Sequence, residues 1–460
     1  MKTSHTLSRR QFLAATAGAI AAPMIVPASA LGRSGRPAPS ERINLACFGF
    51  GTIAHSVTPS FLSDERVQIV AVCDVNRETG HYGYSGEHTG GREVGRRKIN
   101  EFYAKQTGKA GYNGCRVYED FRELLQKEDV DAVQVATPDH WHAIMAIACA
   151  RHKKHIYGQK PLAVTVEQGR TMVREITKAG VTWQTGSQQR SQASFRQACE
   201  FVRNGRLGKL QRVHVVLPGG HRDFSKLADK QQPEAPPDGL NYELWEGPAP
   251  HRAYRPALLP LNWRWNFDYS GGMITDWGAH HLDIVQWALG MDESGPVKFQ
   301  NLRAALPAPD ALYNTATTFH FECVYTSGVT LVVDDESAGP NGITFVGDQG
   351  RKIFVSREKF ESNPEELREE KLGERDIRLY HSKQHERNFI DCIYSGQPTV
   401  APIEAAHRAI TIAHVANIGL RLGRSQMIWN PAREQFMDDP EANQMLSRPM
   451  RRPWSLSPRV

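Results

Sequence analysis

The sequence lacks the features that mark several classes of protein. It has no hydrophobic run long enough to span a bilayer comfortably, and its mean hydropathy of −0.49 is typical of a protein that folds in water. Its seven cysteines include no CxxC pair, which argues against both a disulfide framework and a zinc site. A net charge of +6 over 460 residues is no signature of nucleic-acid binding. We therefore expect buried structural cysteines, no nucleic-acid partner, and two or three globular domains.

The N-terminus has the composition of an export signal. The segment Ser8-Arg9-Arg10-Gln11-Phe12-Leu13 precedes an apolar run that ends near Val26, and the small residues Ala28-Ser29-Ala30 follow. We predict that residues 1–30 are a signal peptide cleaved after Ala30. The paired arginines favour the twin-arginine route, which carries folded proteins, so we expect a periplasmic or otherwise exported protein. A membrane anchor, or a cytosolic protein with a fortuitous N-terminus, is the alternative.

The rest of the chain divides by its pattern. Residues 31–41 are rich in Gly, Pro and Arg and predict a flexible lead-in. Over residues 42–186 short apolar runs alternate with helical patterns, which predicts an α/β domain with a doubly wound parallel sheet. Residues 187–423 predict a second, α+β domain with antiparallel strands, whose last helices return to the first domain. Residues 424–460 are expected to form a C-terminal tail that is loosely ordered after Ser447.

A glycine-rich turn between the first strand and the first helix predicts a dinucleotide site. The segment Gly49-Phe50-Gly51-Thr52-Ile53-Ala54 matches the G-x-G-x-x-G/A fingerprint, in which glycines let a pyrophosphate approach the backbone at a helix N-terminus. Asp74 ends the second strand, where a carboxylate accepts hydrogen bonds from the adenosine ribose. Asp74 would repel a 2′-phosphate, so we expect NAD; Arg77 could pair with that phosphate, which leaves NADP as the alternative. The predicted cofactor-binding residues of this turn and strand are Gly49, Gly51, Thr52, Ile53 and Asp74.

Three further motifs resemble those of the Gfo/Idh/MocA oxidoreductase family. They are Ala136-Thr137-Pro138-Asp139-His140-Trp141-His142, Gly158-Gln159-Lys160-Pro161-Leu162, and Gly271 to His280 with the pattern G-G-x-x-x-D-x-G-x-H. The resemblance extends from Arg42 to about Gly423. It implies a Rossmann domain followed by an open, mostly antiparallel sheet domain that often forms homo-oligomer contacts.

The same resemblance implies roles for particular residues. Lys160, Asp276 and His280 take the catalytic positions, and the cofactor is lined by Thr137, Pro138, His142 and Lys160. One departure concerns Gln159, which stands where the family usually has a glutamate that helps to set the charge and position of the lysine. The amide can still form hydrogen bonds, so we expect Lys160 to keep its place with altered basicity.

The chemistry of these residue types supports the assignment independently. Asp276, His280, Asp283 and Trp287 fall on one face of a helix predicted from Met273 to Leu289. Oxidation of a carbinol needs a group that takes the hydroxyl proton, and an imidazole is suited to this, so His280 is our candidate base. Asp276 could bind a substrate hydroxyl or orient the imidazole, and Lys160 could stabilise the developing alkoxide. A solvated helix face with an ordinary surface lysine is the alternative.

Further residues are candidates for substrate contact. Arg190 follows the sixth strand, at the edge where such sheets bind ligands, although it could merely cap a helix. Trp263 and Arg264 belong to a Trp-rich stretch of the kind that binds sugar rings, but such residues can equally hold a loop to the sheet. The predicted substrate-binding residues are thus Arg190, Trp263, Arg264 and Asp276. Histidines 140, 142, 280 and 281 lack an acid or thiol at a recognisable metal-ligand spacing, so we predict no metal site.

These features together predict an exported NAD(P)-dependent oxidoreductase that acts on a hydroxyl of a sugar, polyol or glycoside. Free nucleotide is scarce outside the cytosol, so we expect the cofactor to leave with the folded chain and to be recycled in place. Two alternatives remain at this point. One is redox-neutral cleavage of a glycoside by oxidation, elimination and reduction on the same nucleotide, and the other is a binding protein of the same fold without turnover.

Overall fold

The computed structural model describes residues 37–83, 85–108, 110–220 and 225–457. The predicted signal peptide, residues 1–30, and residues 31–36 of the predicted lead-in lie outside these ranges. Pro39–Glu41 form a short 3-10 helix. Among the described helices, none combines the length and the apolar character needed to cross a membrane.

The strands and helices of the described residues alternate in the first half of the chain and segregate in the second. The strands are β1 Ile43–Phe48, β2 Val67–Cys73, β3 Thr79–Tyr82, β4 His88–Gly90, β5 Arg116–Tyr118, β6 Ala132–Val135, β7 His155–Gly158, β8 Trp183–Thr185, β9 Arg212–Val216, β10 Lys298–Ala305, β11 Thr318–Val324, β12 Thr330–Asp334, β13 Gly342–Val346, β14 Lys352–Val355, β15 Phe360–Asn363, β16 Gln426–Asn430 and β17 Gln435–Phe436. The α-helices are α1 Thr52–Ser63, α2 Arg92–Thr107, α3 Phe121–Lys127, α4 Asp139–Arg151, α5 Val166–Ala179, α6 Ala193–Arg203, α7 Tyr242–Glu246, α8 Met273–Asp276, α9 Gly278–Leu289, α10 His385–Ser395, α11 Ile403–Arg421 and α12 Pro440–Gln444.

The first sheet is a six-stranded parallel sheet with the order β5-β2-β1-β6-β7-β8. Its central strands are apolar on both faces because helices cover both; in β1 the side chains from Leu45 to Phe48 are fully buried. The strand order reverses between β1 and β6. Ligands of such sheets bind at the carboxyl ends of the strands at this point, which is where the glycine-rich turn lies. The predicted doubly wound parallel sheet is confirmed.

The second sheet is mixed but mostly antiparallel, with the order β15-β14-β13-β9-β12-β11-β10-β16-β17. Only the pair β9 and β12 runs parallel among the pairings described. Helices α9 and α11 pack on this sheet, and α11 also contacts α5 and β8 of the first sheet. Helix α11 therefore lies against elements of both sheets.

The segment predicted as a tail, residues 424–460, forms strands β16 and β17 in its described part and packs against helix α4. Strand β16 pairs with β10, and Trp429 and Phe436 are buried in the core. Trp454 packs against Trp141, with ring centroids 4.7 Å apart. Within this Arg- and Pro-rich segment Arg451 also donates to Gly247 O at 3.0 Å.

All seven cysteines are free and buried, as predicted. A hairpin of β3 and β4, inserted between β2 and α2, was not predicted. It lies beside the glycine-rich turn and so belongs to the site described next.

Candidate active site

One cavity of about 1090 Å³ connects the glycine-rich turn with the predicted catalytic residues. This volume exceeds the roughly 300–1,000 Å³ of pockets for drug-sized ligands, so it suits a dinucleotide together with a substrate. We call the part around Gly49–Ile53 and Asp74 the nucleotide end. The part around Lys160, Asp276 and His280 is called the substrate end.

Backbone geometry forms the nucleotide end. Gly49 has a φ of +81°, and a Cβ at this position would lie 2.5 Å from Ala136 O. The turn thus lies against the end of β6, and only glycine fits. Helix α1 begins directly after Gly51, so its unpaired backbone N–H groups face the cavity. The predicted residues Gly49, Gly51, Thr52 and Ile53 all line the cavity.

Asp74 lies at the end of β2 and also lines the cavity. Its Oδ2 accepts a hydrogen bond from Phe50 N at 2.8 Å, and its Oδ1 accepts one from Asn76 N at 2.8 Å. Burial raises the pKa of this carboxyl, while the two N–H donors act in the opposite direction. Each carboxylate oxygen has a second lone pair, so Asp74 can still accept from a ribose hydroxyl.

The hairpin of β3 and β4 completes this end of the cavity. A Cβ at Gly51 would lie 2.8 Å from the ring of Tyr82, and Gly83 N donates to Thr52 Oγ1 at 2.8 Å. The hairpin is therefore fixed to the first turn of α1. The cluster of glycines from Gly80 to Gly91 is the sequence signal that could have predicted this hairpin.

The groups that line the nucleotide end fit NAD. The closely approached glycine backbone, the helix N-terminus and a carboxylate at the end of the second strand match the pyrophosphate and ribose in chemistry.

At the substrate end an ion pair joins the two domains. Lys160 Nζ donates to the Asp276 carboxylate and, at 3.0 Å, to Asp276 O. Burial alone would raise the pKa of Asp276, but the charges of Lys160 and Arg264 outweigh it and hold the pKa below its usual value. The carboxylate is therefore ionised and fixes the lysine in the cavity.

His280 lies one turn beyond Asp276 and lines the cavity, with 7% of its surface exposed. Its Nδ1 is buried and has no hydrogen-bond partner among the described residues. Burial, together with the charges of Lys160 and Arg357, holds the pKa of His280 well below its usual range. The imidazole is thus neutral at physiological pH and can accept a proton.

The predicted helix from Met273 to Leu289 is interrupted at Trp277, which separates α8 from α9. Asp276 and His280 line the cavity, whereas Asp283 does not. The predicted stripe of four side chains is consequently divided between two environments. Trp277 itself lines the cavity, and its ring centroid is 5.9 Å from that of His280.

The prediction that Arg190 contacts substrate was wrong. Arg190 is 2% exposed and does not line the cavity. Its Nε donates to Asp283 Oδ2 at 2.8 Å, and its Nη2 donates to Asp292 Oδ1 at 2.7 Å. A guanidinium buried with two carboxylates is a structural group. From the same segment Gln188, Gln189 and Gln192 line the cavity instead.

The prediction that His142 binds the cofactor was also wrong, although Thr137 and Pro138 of the same motif do line the cavity. His142 is 2% exposed and lies behind the wall. Its Nδ1 is 2.7 Å from Pro161 O and its Nε2 is 2.9 Å from Thr137 O. The ring therefore bridges the two loops and helps to position the segment that carries Lys160.

Trp263 and Arg264 line the cavity as expected, but their roles differ. Trp263 is 5% exposed and donates from Nε1 to Pro260 O at 3.0 Å, so its indole holds the loop. The Arg264 guanidinium carbon lies 4.4 Å from the centroid of the Trp263 ring. An arginine therefore occupies one face of the Trp263 indole.

Gln159, the departure from the family pattern, is buried and lines the cavity next to Lys160. Its Nε2 has no hydrogen-bond partner among the described residues. An amide in place of a carboxylate brings no negative charge to the lysine, so Asp276 is the carboxylate that pairs with Lys160.

Asp139 and Arg357 also line the cavity and were not among the predicted site residues. Asp139 begins α4 and accepts a hydrogen bond from Ser270 Oγ at 2.5 Å. It lies within the motif Ala136 to His142 and could have been recognised there. Arg357 follows β14, and its guanidinium carbon lies 4.6 Å from the centroid of the Trp277 ring. No local pattern marks Arg357, because the topology of the second sheet brings it to the cavity.

Comparison with known families decides the affiliation of the chain. Residues 43–187 match the model of the Gfo/Idh/MocA oxidoreductase family's NAD-binding Rossmann fold, and residues 192–456 match that of its C-terminal alpha/beta domain. The chain belongs to the Gfo/Idh/MocA oxidoreductase family. It is therefore an oxidoreductase, and NAD is the cofactor of its first domain.

Individual relatives are more distant. The chain is 25% identical to the myo-inositol 2-dehydrogenase of Thermotoga maritima over 323 residues, which is 67% of this chain and 83% of the relative. It is 30% identical to the alpha-N-acetylgalactosaminidase of Shewanella oneidensis over 179 residues, which is 36% of each protein.

Solved structures share the fold. The WlbA dehydrogenase of Bordetella pertussis in complex with NADH and UDP-GlcNAcA has a TM-score of 0.58 at 16% identity, with 85% of this chain and 99% of the other covered. The aldose-aldose oxidoreductase of Caulobacter crescentus, complexed with glycerol, has a TM-score of 0.58 at 20% identity, with 84% and 99% covered.

Proposed function

We propose that this family member oxidises a hydroxyl group of a sugar, polyol or glycoside by hydride transfer to NAD and returns the hydride from the same bound nucleotide. The observation that carries the proposal is the single cavity. A neutral imidazole and a lysine–carboxylate pair lie at one end of it, and a pyrophosphate-type turn lies at the other. The names of the inositol and aldose relatives support a polyhydroxylated substrate.

In this proposal His280, Lys160 and Asp276 have different roles. His280 accepts the proton of the substrate hydroxyl, and Lys160 donates a hydrogen bond to the oxygen on which negative charge develops. Asp276 holds Lys160 in place through the ion pair. Bound NAD supplies the hydride acceptor, so the carbinol loses two electrons and two hydrogens while the nucleotide gains a hydride.

Export of the folded, loaded enzyme is part of the proposal. The Arg9-Arg10 signal supports it, and scarcity of free nucleotide outside the cytosol then requires recycling in place. Fractionation with N-terminal sequencing tests the location, with cleavage after Ala30 expected. Full-length protein confined to the cytosol would overturn the export proposal.

We also propose that the protein forms a homo-oligomer. Sedimentation of the purified protein tests this oligomer, and a monomer would contradict it.

Mass spectrometry of nucleotide released from the gently purified mature protein is the central test. NAD or NADH is expected, and the absorbance of the reduced nicotinamide should rise when a sugar or polyol substrate is added. Protein that contains no nucleotide, and binds none when NAD is supplied, would overturn the proposal.

A second candidate is redox-neutral glycoside cleavage. The 30% identity to a glycosidase over 179 residues favours it. Oxidation makes the neighbouring C–H acidic, elimination breaks the glycosidic bond, water adds, and the hydride then returns to the carbonyl. Product analysis separates the two: a free leaving-group alcohol with no net change of nicotinamide indicates cleavage, and an oxidised sugar indicates net redox. A binding protein without turnover would show neither product.

A further inference from the structure

The substrate end of the cavity contains two guanidinium groups, each lying over an indole ring. Arg264 lies over Trp263 and Arg357 over Trp277, at 4.4 Å and 4.6 Å respectively. All four side chains line the cavity. Trp263 and Arg264 belong to the 3-10 helix Asn262–Trp265. Arg357 follows β14, and Trp277 lies at the interruption between α8 and α9, so separate segments of the chain converge on the substrate end.

The two carboxylates whose charge interacts with Arg264, Asp276 and Asp139, are already engaged by other groups. The Asp276 carboxylate is held by Lys160, and the Asp139 carboxylate accepts from Ser270. Arg264 donates from Nη1 to Leu261 O at 3.1 Å, and among the described residues it forms no ion pair with a carboxylate. A guanidinium has five N–H donors in a fixed plane, so most of those on Arg264 remain available to a ligand.

Stacking on an indole makes such a guanidinium a good anion receptor. The ring fixes the plane of the guanidinium and removes water from a face, and the N–H groups of Arg264 that do not bind Leu261 O can donate to a carboxylate or phosphate. A neutral sugar gains less binding free energy by stacking here, because an arginine occupies one face of each of these two indoles. The Trp277 ring also contacts His280, with centroids 5.9 Å apart. Arg357 and the proposed base therefore pack against the same indole ring.

We propose that the substrate end binds the anionic group of an acidic sugar, a carboxylate or a phosphate, through the guanidinium of Arg264, with the positive charge of Arg357 adding to the attraction. The inference rests on the proposed function, which it narrows from carbohydrates in general to sugars that carry a negative charge. The anion binds beside the reacting hydroxyl and selects the substrate; it takes no part in hydride or proton transfer.

Calorimetric titration of the NAD-loaded enzyme with three probes tests the subsite. The probes are methyl glucuronide, methyl glucoside and a glucose phosphate, and the anionic probes are expected to bind about tenfold or more tightly than the glucoside. The preference should weaken as salt is raised. Tighter binding of the glucose phosphate than of the glucuronide identifies a phosphoryl ligand, and the reverse order identifies a carboxylate. Equal binding of all three probes overturns the subsite.

Variants assign the preference to the arginines. Arg264→Gln and Arg357→Gln are each expected to reduce the preference for anionic probes about tenfold while leaving NAD affinity unchanged. Arg66→Gln is the matched control, because Arg66 lies over the ring of Tyr394 at 5.7 Å and does not line the cavity. Arg264→Lys keeps the charge without the planar fork and replaces Arg264→Gln if the latter does not fold. Retention of the preference in both glutamine variants would overturn the assignment.

Nicotinamide absorbance, followed separately, distinguishes the two proposals. Turnover of methyl glucoside with no charge preference in binding overturns the subsite and leaves the oxidoreductase proposal intact. Charge-selective binding without hydride transfer from any probe or other sugar tested supports the subsite and counts against the proposed function.

Discussion

The two ends of the cavity are built from different materials. The nucleotide end consists mainly of backbone: the turn at Gly49–Gly51, the N-terminus of α1 and one carboxylate, Asp74. The substrate end consists of charged side chains from both domains, and Lys160 and Arg357 reach it from distant segments. A backbone site requires small residues in a fixed order, whereas a side-chain site requires only that a fold bring its members together. The nucleotide end is thus formed by residues close in sequence, whereas the substrate end is brought together by the fold.

The largest effect that separates the two ends is expected from His280→Ala. Loss of the general base should lower kcat about 10²- to 10⁴-fold, since proton transfer contributes that much, while NAD affinity remains unchanged. Stopped-flow absorbance and NADH fluorescence titration measure the two quantities. His251→Ala, at an exposed histidine outside the cavity, is the control. Unchanged conversion in His280→Ala would remove the assigned role.

The converse effect is expected from Gly49→Ala. The added Cβ meets Ala136 O and the residue keeps a positive φ, so the turn should move from its native position, which it could regain only at a cost of about 3 kcal/mol. Because NAD needs the native turn, its binding should weaken by up to roughly 100-fold. Gly180→Ala is the matched control, because Gly180 also has a positive φ of 67° but has no atom within 4 Å of the added group. If both variants bind NAD equally, steric closure of the turn is not required for the site.

A smaller effect is expected from Asp74→Asn. Loss of a charge-assisted hydrogen bond to ribose should weaken NAD binding about tenfold, and removal of the charge should narrow the preference for NAD over NADP. Paired titrations with the two nucleotides measure this. Asp131→Asn is the control, because the Asp131 carboxylate also accepts from a backbone N–H, that of Asn44, without lining the cavity. An unchanged preference in Asp74→Asn would assign the discrimination to another residue.

The smallest effect is a shift in pH dependence. Burial and the charges of Lys160 and Arg357 depress the pKa of His280, so kcat/KM should fall on the acid side only well below pH 6.5. Removal of one positive charge in Arg357→Gln raises the pKa of His280 and should move this acid limb to higher pH. Arg66→Gln should leave the profile unchanged. A downward shift in Arg357→Gln would contradict the electrostatic explanation.

The accuracy of the sequence predictions follows the same division. The parallel sheet, the glycine turn and Asp74 were predictable because their signals are local and ordered along the chain. Lys160, Asp276 and His280 were placed through motifs, and the structure brings all three to one cavity. Arg190 and His142 were misplaced because a short motif does not indicate which way a side chain points. Arg357 and the sheet strands after Gly423 depend on pairings between remote segments, which no local pattern records.

The two hydrogen bonds from Lys160 to Asp276 bear on regiochemistry. An ammonium group has three N–H donors, and the carboxylate and carbonyl of Asp276 engage two of them. A single N–H remains to recognise one oxygen of a molecule that offers several secondary alcohols of nearly equal intrinsic reactivity. Under the proposed mechanism, the direction of that last N–H, fixed by an acid on the other domain, would favour oxidation of the hydroxyl group that it can reach.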